Sequence, residues 1–233
     1  MSSERMIAVV ICAAGSSKRM GGLKKEYLFL ESREQRAKSK EVSTVLGAVV
    51  RAFSAVPSVS VIAIAIPENG EEAACAAIPS EYLSASKPKV IFVNGGDTRQ
   101  ASVYNALCTL KEYNPAFVLI HDGARPWVST GLIQNIIEAV QKYNAVIPIL
   151  PLTETPKEID GGFITNHPKR ANICLAQTPQ AFKFPEILQA HKDASLINEE
   201  FTDDAEVWGR FCGKVAVITG EAENKKITFQ GDL

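Results

Sequence analysis

The chain has 233 residues, 46% hydrophobic and 22% charged, with 25 Lys and Arg against 26 Asp and Glu and a formal net charge of −1. That balance excludes a wholly disordered chain and leaves room for a sizeable core. It gives no support to a dedicated nucleic-acid or membrane-surface binder, so any basic site must be local.

No stretch approaches the roughly 18 consecutive apolar residues of a membrane-spanning helix. The five cysteines, Cys12, Cys75, Cys108, Cys174 and Cys212, are odd in number, far apart and without C-x-x-C spacing. They argue against a disulfide framework or a zinc site and point to a reducing, cytoplasmic home. In chain order, Ile7–Cys12 reads as a buried strand rather than a signal peptide, since Lys18 and Arg19 follow where a cleavage site would stand. Ser32–Glu41 is charged and aperiodic, a solvated loop or, as the lesser reading, a phosphate patch. Val42–Ser54 puts Val42, Val45, Leu46, Val49, Val50 and Phe53 on one helical face. Val59–Ile66 is a second strand and Lys89–Val93 a third, followed by a helix over Arg99–Glu112 with Val103, Ala106, Leu107 and Leu110 aligned. Phe117–His121 is a fourth strand, Leu132–Tyr143 a helix, and Ala145–Ile149 a fifth strand. Pro151–Ile173, with its prolines and the Gly161-Gly162 pair, leaves the sheet as a hairpin arm. Pro185–Ala194 and Asp203–Phe211 are helical again, and Val215–Thr219 is a last strand.

Apolar strands alternating with helices indicate βαβ units. The fold class is therefore α/β: a doubly wound, mainly parallel sheet with a protruding β-arm, in one domain over residues 1–233 with the arm at 151–173. Right-handed crossovers bring the strand C-terminal ends to one edge, where ligands of such sheets bind.

Three segments follow predicted strands and carry candidate chemistry. Ala13–Leu28 (AAGSSKRMGGLKKEYL) combines small residues, which let backbone amides approach phosphate oxygens, with Lys18, Arg19, Lys24 and Lys25 against Glu26. It fits neither G-x-x-x-x-G-K-[ST] nor G-x-G-x-x-G. In Asn94–Arg99 (NGGDTR) the glycines can lie against a flat base, while Asp97 can hold an amino group or cap the next helix. In His121–Pro126 (HDGARP) Asp122 can hold a ribose hydroxyl or a metal, and Arg125 can clamp a phosphate or pair internally with Asp122. His121 reads as a hydrogen-bonded core residue rather than a base. No Ser/His/Asp or Cys/His spacing supports nucleophilic catalysis by the protein.

Together these motifs resemble a known family. A strand followed by AAG-x-x-x-RM and K-x-Y-L is similar to the sugar nucleotidyltransferases. NGGDTRQASV, HDGARP, QTPQAF at Gln177–Phe182, the Thr202-Asp203 pair and Asn224-Lys225-Lys226-Ile227-Thr228 narrow the resemblance to the 2-C-methyl-D-erythritol 4-phosphate cytidylyltransferases. The likeness runs from about Ile7 to Thr228. It implies a Rossmann-like nucleotidyltransferase fold, CTP and a polyol phosphate as substrates, Mg²⁺ as cofactor, and a homodimer through exchanged 151–173 arms, with no nucleic-acid or membrane partner. The reaction implied is transfer of CMP from CTP to 2-C-methyl-D-erythritol 4-phosphate with release of pyrophosphate, in the non-mevalonate route to isoprenoid precursors.

Carried over by position, the resemblance puts Ala13, Ala14, Gly15, Arg19 and Lys25 around the CTP phosphates. Ala14, Gly96, Asp97 and Ser102 would read cytosine and its ribose. Asp122, Gly123, Arg125, Thr202 and Lys226 would face the acceptor and the metal region, with Asp122 the metal ligand beside phosphates that hold most of the ion. Thr155 and Arg170 would reach the neighbouring subunit's substrate. Arg19 and Lys25 would stabilise the transition state, while Arg170 and Lys226 orient the attacking phosphate. The chain departs from the family where Ser17 replaces a frequent glycine and Lys24 a frequent proline, so Lys24 competes with Lys25 for the catalytic role. Ser32–Glu41 is longer than the family spacing, and the chain stops at Leu233 where relatives usually carry another helix, as a truncated end or a naturally short form. A ribitol 5-phosphate cytidylyltransferase and a non-catalytic nucleotide-binding module are the alternatives; the Gly95–Ser102 block argues against a guanylyltransferase.

Overall fold

The structure, a computed structural model, describes residues 5–15, 17, 21–30, 43–197 and 199–233. Continuous runs of β-branched residues form its centre: β1 (Ile7–Cys12), β2 (Val59–Ile66), β3 (Lys89–Asn94) and β4 (Phe117–Asp122). β1 pairs in parallel with β2 on one side and β4 on the other, and β2 with β3. Beyond β4 the sheet continues through β9 (Gln180–Lys183), β5 (Ala145–Pro151) and β10 (Ala216–Thr219), in the order β10-β5-β9-β4-β1-β2-β3. β9 runs antiparallel to both β4 and β5, and β8 (Cys174–Ala176) adds antiparallel to the end of β5. The sheet is thus mainly parallel, as the sequence predicts, with an antiparallel strand at its heart that periodicity does not reveal.

Side chains of β1 alternate between two cores. Ile7, Val9 and Ile11 pack with α1 (Val45–Ser54), α2 (Glu71–Ala77) and α5 (Thr130–Tyr143); Ala8 and Val10 pack with α4 (Arg99–Leu110), α6 (Phe184–Ala194) and α7 (Asp204–Phe211). A short helix, α3 (Ser80–Leu83), precedes β3. Helix onsets follow capping hydroxyls. Thr44 accepts from the Gly47 N–H, so α1 opens at Val45 and not at Val42, which lies outside the described residues. Thr98, not Asp97, caps α4, and Ser129 caps α5 three residues before the apolar stripe begins at Leu132. In the 151–173 segment, β6 (Glu158–Asp160) and β7 (Phe163–Asn166) form a hairpin closed by Gly161 and Gly162 at φ 54° and 85°. Two consecutive positive φ values make the turn whose twist matches a two-residue hairpin, and glycine adopts them without a Cβ clash. Ile159 and Phe163 on this hairpin are 75% and 77% exposed. Among the described residues no helix is long and apolar enough to cross a membrane.

Candidate active site

The strand order reverses at β1, so the crevice outside the C-terminal ends of β1 and β4 is the topological switch point of the sheet. A cleft of about 550 Å³ lies there, walled by the turn after β1, the turn after β3, the end of β4 and the C-terminal segment. Close backbone approach shapes the first wall. The Gly95 N–H donates to the Ile66 carbonyl at 2.8 Å, and a Cβ at Gly95 would fall 2.3 Å from Ala14 Cβ. The Gly96 N–H donates to Ser102 Oγ at 3.0 Å, and that hydroxyl donates to the Thr98 carbonyl at 2.9 Å, fixing the turn onto the start of α4.

Charge concentrates at the end of β4. Asp122 Oδ2 lies 2.9 Å from Lys226 Nζ and 3.3 Å from Arg125 Nε; Asp122 Oδ1 lies 3.5 Å from Arg99 Nε. Burial opposes ionisation of Asp122, but Lys226, then Arg99 and Arg125, outweigh it and hold the carboxyl far below the usual carboxylate range. Arg99 also donates through Nη2 to Asp204 Oδ2 at 2.7 Å. Burial works against the Asp204 charge as well, yet Arg99 and then His191 bring its carboxyl down to about 2. Cys12, beneath this cluster, is pushed up to about 12 chiefly by burial and is a neutral thiol. His121 is fully buried; one ring nitrogen faces the Arg125 carbonyl at 3.1 Å and the other Thr178 Oγ1 at 3.1 Å, which itself accepts the Asp122 N–H. Burial lowers His121 to about 4, so at neutral pH it is an uncharged prop for the β4 end and not a base.

The cleft brings together Ala14, Gly15, Lys25, Gly96, Asp97, Ser102, Asp122 and Lys226 from four separate stretches of sequence. Lys25 Nζ donates to the Ile227 carbonyl at 2.9 Å, joining the first loop to the C-terminal segment. Lys24 is drawn the other way, donating to the Gly15 carbonyl and lying 4.0 Å from the buried Glu26, and it is absent from the cleft wall. Other expected contacts are displaced. Ala13 is fully buried with its N–H committed to the Ala65 carbonyl at 2.9 Å, so it supports the turn after β1 from below. Gly123 is a packing glycine: its Cβ would come 2.9 Å from the Cys12 carbonyl. Arg125, with its side chain 12% exposed, spends its guanidinium on Asp122 and on the Asn224 carbonyl at 2.8 Å, a strut between β4 and the C-terminal segment. Thr202 donates to Glu206 from both its N–H and its hydroxyl and does not line the cleft. Thr155 and Arg170 are exposed in the 151–173 segment, Arg170 donating to the Thr153 carbonyl at 2.9 Å. Arg19 and the stretch Ser32–Glu41 lie outside the described residues.

Arg99, Glu26, Thr98, Thr228 and Asp204 escaped the sequence reading as site residues. Arg99 stood inside a quoted motif, but its partner Asp204 is 105 residues away and no spacing rule joins them. Asp122 does not fit the metal ligand expected of it, since three cations occupy its two oxygens. Among the described residues no group of three or more His, Cys, Asp or Glu could hold a metal ion.

A family model described as 2-C-methyl-D-erythritol 4-phosphate cytidylyltransferase (IspD) matches residues 7–233. The chain is similar to the bifunctional enzyme IspD/IspF of Bartonella tribocorum, 34% identical over 232 residues that cover 97% of this chain and 54% of the relative. It is also similar to that of Paramagnetospirillum magneticum, 36% identical over 227 residues with 97% and 54% coverage. The chain thus spans about half the length of these curated relatives. Among solved structures it is similar to the 4-diphosphocytidyl-2C-methyl-D-erythritol synthase of Anaerococcus prevotii, with TM-score 0.80, 28% identity and coverage of 99% of this chain and 95% of that one. The 2-C-methyl-D-erythritol 4-phosphate cytidylyltransferase of Thermus thermophilus gives TM-score 0.71, 30% identity and 97% and 95% coverage.

Proposed function

Because the chain belongs to the 2-C-methyl-D-erythritol 4-phosphate cytidylyltransferase family, we propose that it transfers CMP from CTP to 2-C-methyl-D-erythritol 4-phosphate, forming 4-diphosphocytidyl-2-C-methyl-D-erythritol and pyrophosphate. The observation that carries the reading is one cleft that joins a glycine turn after β3 to a cation cluster at the end of β4. An oxygen of the acceptor phosphate forms a bond to the α-phosphorus of CTP, and the bond to the bridging oxygen breaks with its electrons leaving on pyrophosphate. The attacking oxygen is already anionic, so no general base is required, in keeping with the neutral His121 and Cys12. The barrier lies in bringing two anions together and holding charge on five-coordinate phosphorus, which fixed cations and positioning lower.

In this reading the Ala14–Gly15 backbone, Arg19 and Lys25 take the triphosphate, and Gly96, Asp97 and Ser102 take the base and ribose. Lys226, seated on Asp122, faces the acceptor phosphate. Ala13, Gly123 and Arg125 serve as supports, and Thr202 stands at the turn into α7. A Mg²⁺ would be carried by the CTP phosphates, where it supplies neutralising charge; the ion-paired Asp122 is not its ligand. The exposed apolar Ile159 and Phe163 support a homodimer in which the 151–173 arm presents Thr155 and Arg170 to the neighbouring subunit's cleft. The five free cysteines support a reducing, cytoplasmic setting.

Pyrophosphate release, assayed with each nucleoside triphosphate against a panel of polyol phosphates, tests the reading. Turnover confined to CTP and methylerythritol phosphate is expected. Preference for ribitol 5-phosphate reassigns the acceptor, and CTP binding without pyrophosphate release makes the chain a nucleotide-binding module.

A further inference from the structure

Three elements meet at one guanidinium, and a fourth joins them through Asp204. Arg99, the first residue of α4, reaches Asp122 at the end of β4 and Asp204 at the start of α7, and Asp204 Oδ1 lies 3.2 Å from Nε2 of His191 on α6. Asp204 and His191 are fully buried, whereas the Arg99 side chain is 31% exposed and lines the cleft. We propose that Arg99 is a positioning residue for the transfer step, clamped from beneath by Asp204 so that it fixes the Asp122 carboxylate on which Lys226 is seated. The proposal rests on the cytidylyltransferase reading of the cleft.

The geometry explains why the position holds arginine. Nε serves one carboxylate and Nη2 the other, two donors held apart by one rigid planar group; a lysine is a single point charge without that fixed spacing. Asp122 is thereby gripped at both oxygens, by Arg99 on Oδ1 and by Arg125 and Lys226 on Oδ2, so its plane cannot turn without breaking a pair. Charge counting gives the same answer. Arg99, Arg125 and Lys226 set against Asp122 and Asp204 leave one positive charge facing an anionic reactant. Without Arg99 the sum is zero, and two carboxylates share a desolvated space with one fewer cation between them.

The test compares Arg99→Gln, Arg99→Lys, Asp204→Asn and the double variant Arg99→Gln/Asp204→Asn in pyrophosphate release, with melting temperatures alongside. Arg99→Gln should lower kcat about 30-fold or more while KM for CTP stays within about threefold, and Arg99→Lys should restore only part of the loss. Asp204→Asn should lower kcat less, and the double variant should be no worse than Arg99→Gln, because Asp204 acts through Arg99. A staple with only a structural role would lower the melting temperature and spare kcat per folded molecule; that result, or losses that multiply independently, overturns the proposal. If the unsubstituted chain releases no pyrophosphate, the cytidylyltransferase reading falls, and a crystal structure of Arg99→Gln still decides the clamp. The Asp122 carboxylate should then turn from its present plane, carrying Lys226 with it; an unchanged plane with Lys226 in place overturns the proposal.

Discussion

Replacing Lys226 by methionine removes the most exposed of the three cations on Asp122 while keeping most of its apolar stem. The side chain is 37% exposed and its Nζ sits 2.9 Å from Asp122 Oδ2. A unit charge about 4 Å from a phosphate oxygen is worth about 4 kcal/mol at an effective dielectric constant of about 20. With more than a third of the side chain in water, screening removes about half of that, leaving about 2 kcal/mol of transition-state stabilisation. The expected loss is therefore about 30-fold in kcat/KM. The fold should survive, since Asp122 keeps Arg125 at 3.3 Å and Arg99 at 3.5 Å. Pyrophosphate release at subsaturating acceptor reads the effect. Lys226→Arg should recover much of the rate, the gap should narrow as salt rises, and Lys214→Met, at an exposed lysine outside the cleft wall, should match the unsubstituted chain. A Lys226→Met rate within threefold of the unsubstituted one, or an equal loss in Lys214→Met, would show that this cation does not act on the reacting phosphates.

Gly95→Ala should weaken CTP binding about tenfold or more, because the new methyl meets Ala14 Cβ at 2.3 Å with the Ile66 carbonyl at 3.2 Å behind it; Gly131→Ala, where the nearest atom is 3.6 Å away, is the control in the same CTP titration. His121 gives the acid side of the stability curve. Its folded value of about 4 lies below the ordinary 6.5, so the unfolded chain binds more protons between those values, and stability falls as pH drops from 6.5 toward 4. The loss is about 3 kcal/mol in all, read as urea midpoints against pH, and His121→Gln should flatten the curve; equal slopes in the two proteins refute the assignment. Asp203→Ala should cost about 1–2 kcal/mol in urea unfolding, since Asp203 caps α7 through the Glu206 N–H at 2.9 Å and accepts from Gln180 Nε2 at 2.8 Å. A loss under about 0.5 kcal/mol would mean that water replaces the cap.

The parallel half of the sheet was legible because strands buried on both faces read as unbroken apolar runs, and α5 because Ile133, Ile136, Ile137 and Val140 repeat at helical spacing. β9 was not legible as a strand. Its four residues include Gln180, a buried amide whose partners, Asp203 and Ala205, lie more than twenty positions on. α2 was missed for a different reason: it buries only Ala74 and Ala77, so it carries no apolar stripe to detect. The sequence motifs point to the turns that wall the cleft but cannot separate a residue that lines it from its neighbour that holds the turn. Gly96 lines the space while Gly95 is the close approach; Asp122 lines it while Gly123 and Arg125 brace it. The Arg99–Asp204 contact depends on α6 packing against both α4 and α7, which no one of these helices records in its own pattern.

The antiparallel β9 also sets the order in which this sheet can be completed. β5 does not pair with β4; a strand synthesised some thirty residues after it is wedged between them. A nascent or truncated chain that ends near Pro151 would hold β3, β2, β1 and β4 with one long side of Phe117–Asp122 unpaired, apolar and open to any neighbour of like kind. Fragments of the N-terminal half should accordingly aggregate rather than bind nucleotide, even though most of the cleft-lining loops are already present in them.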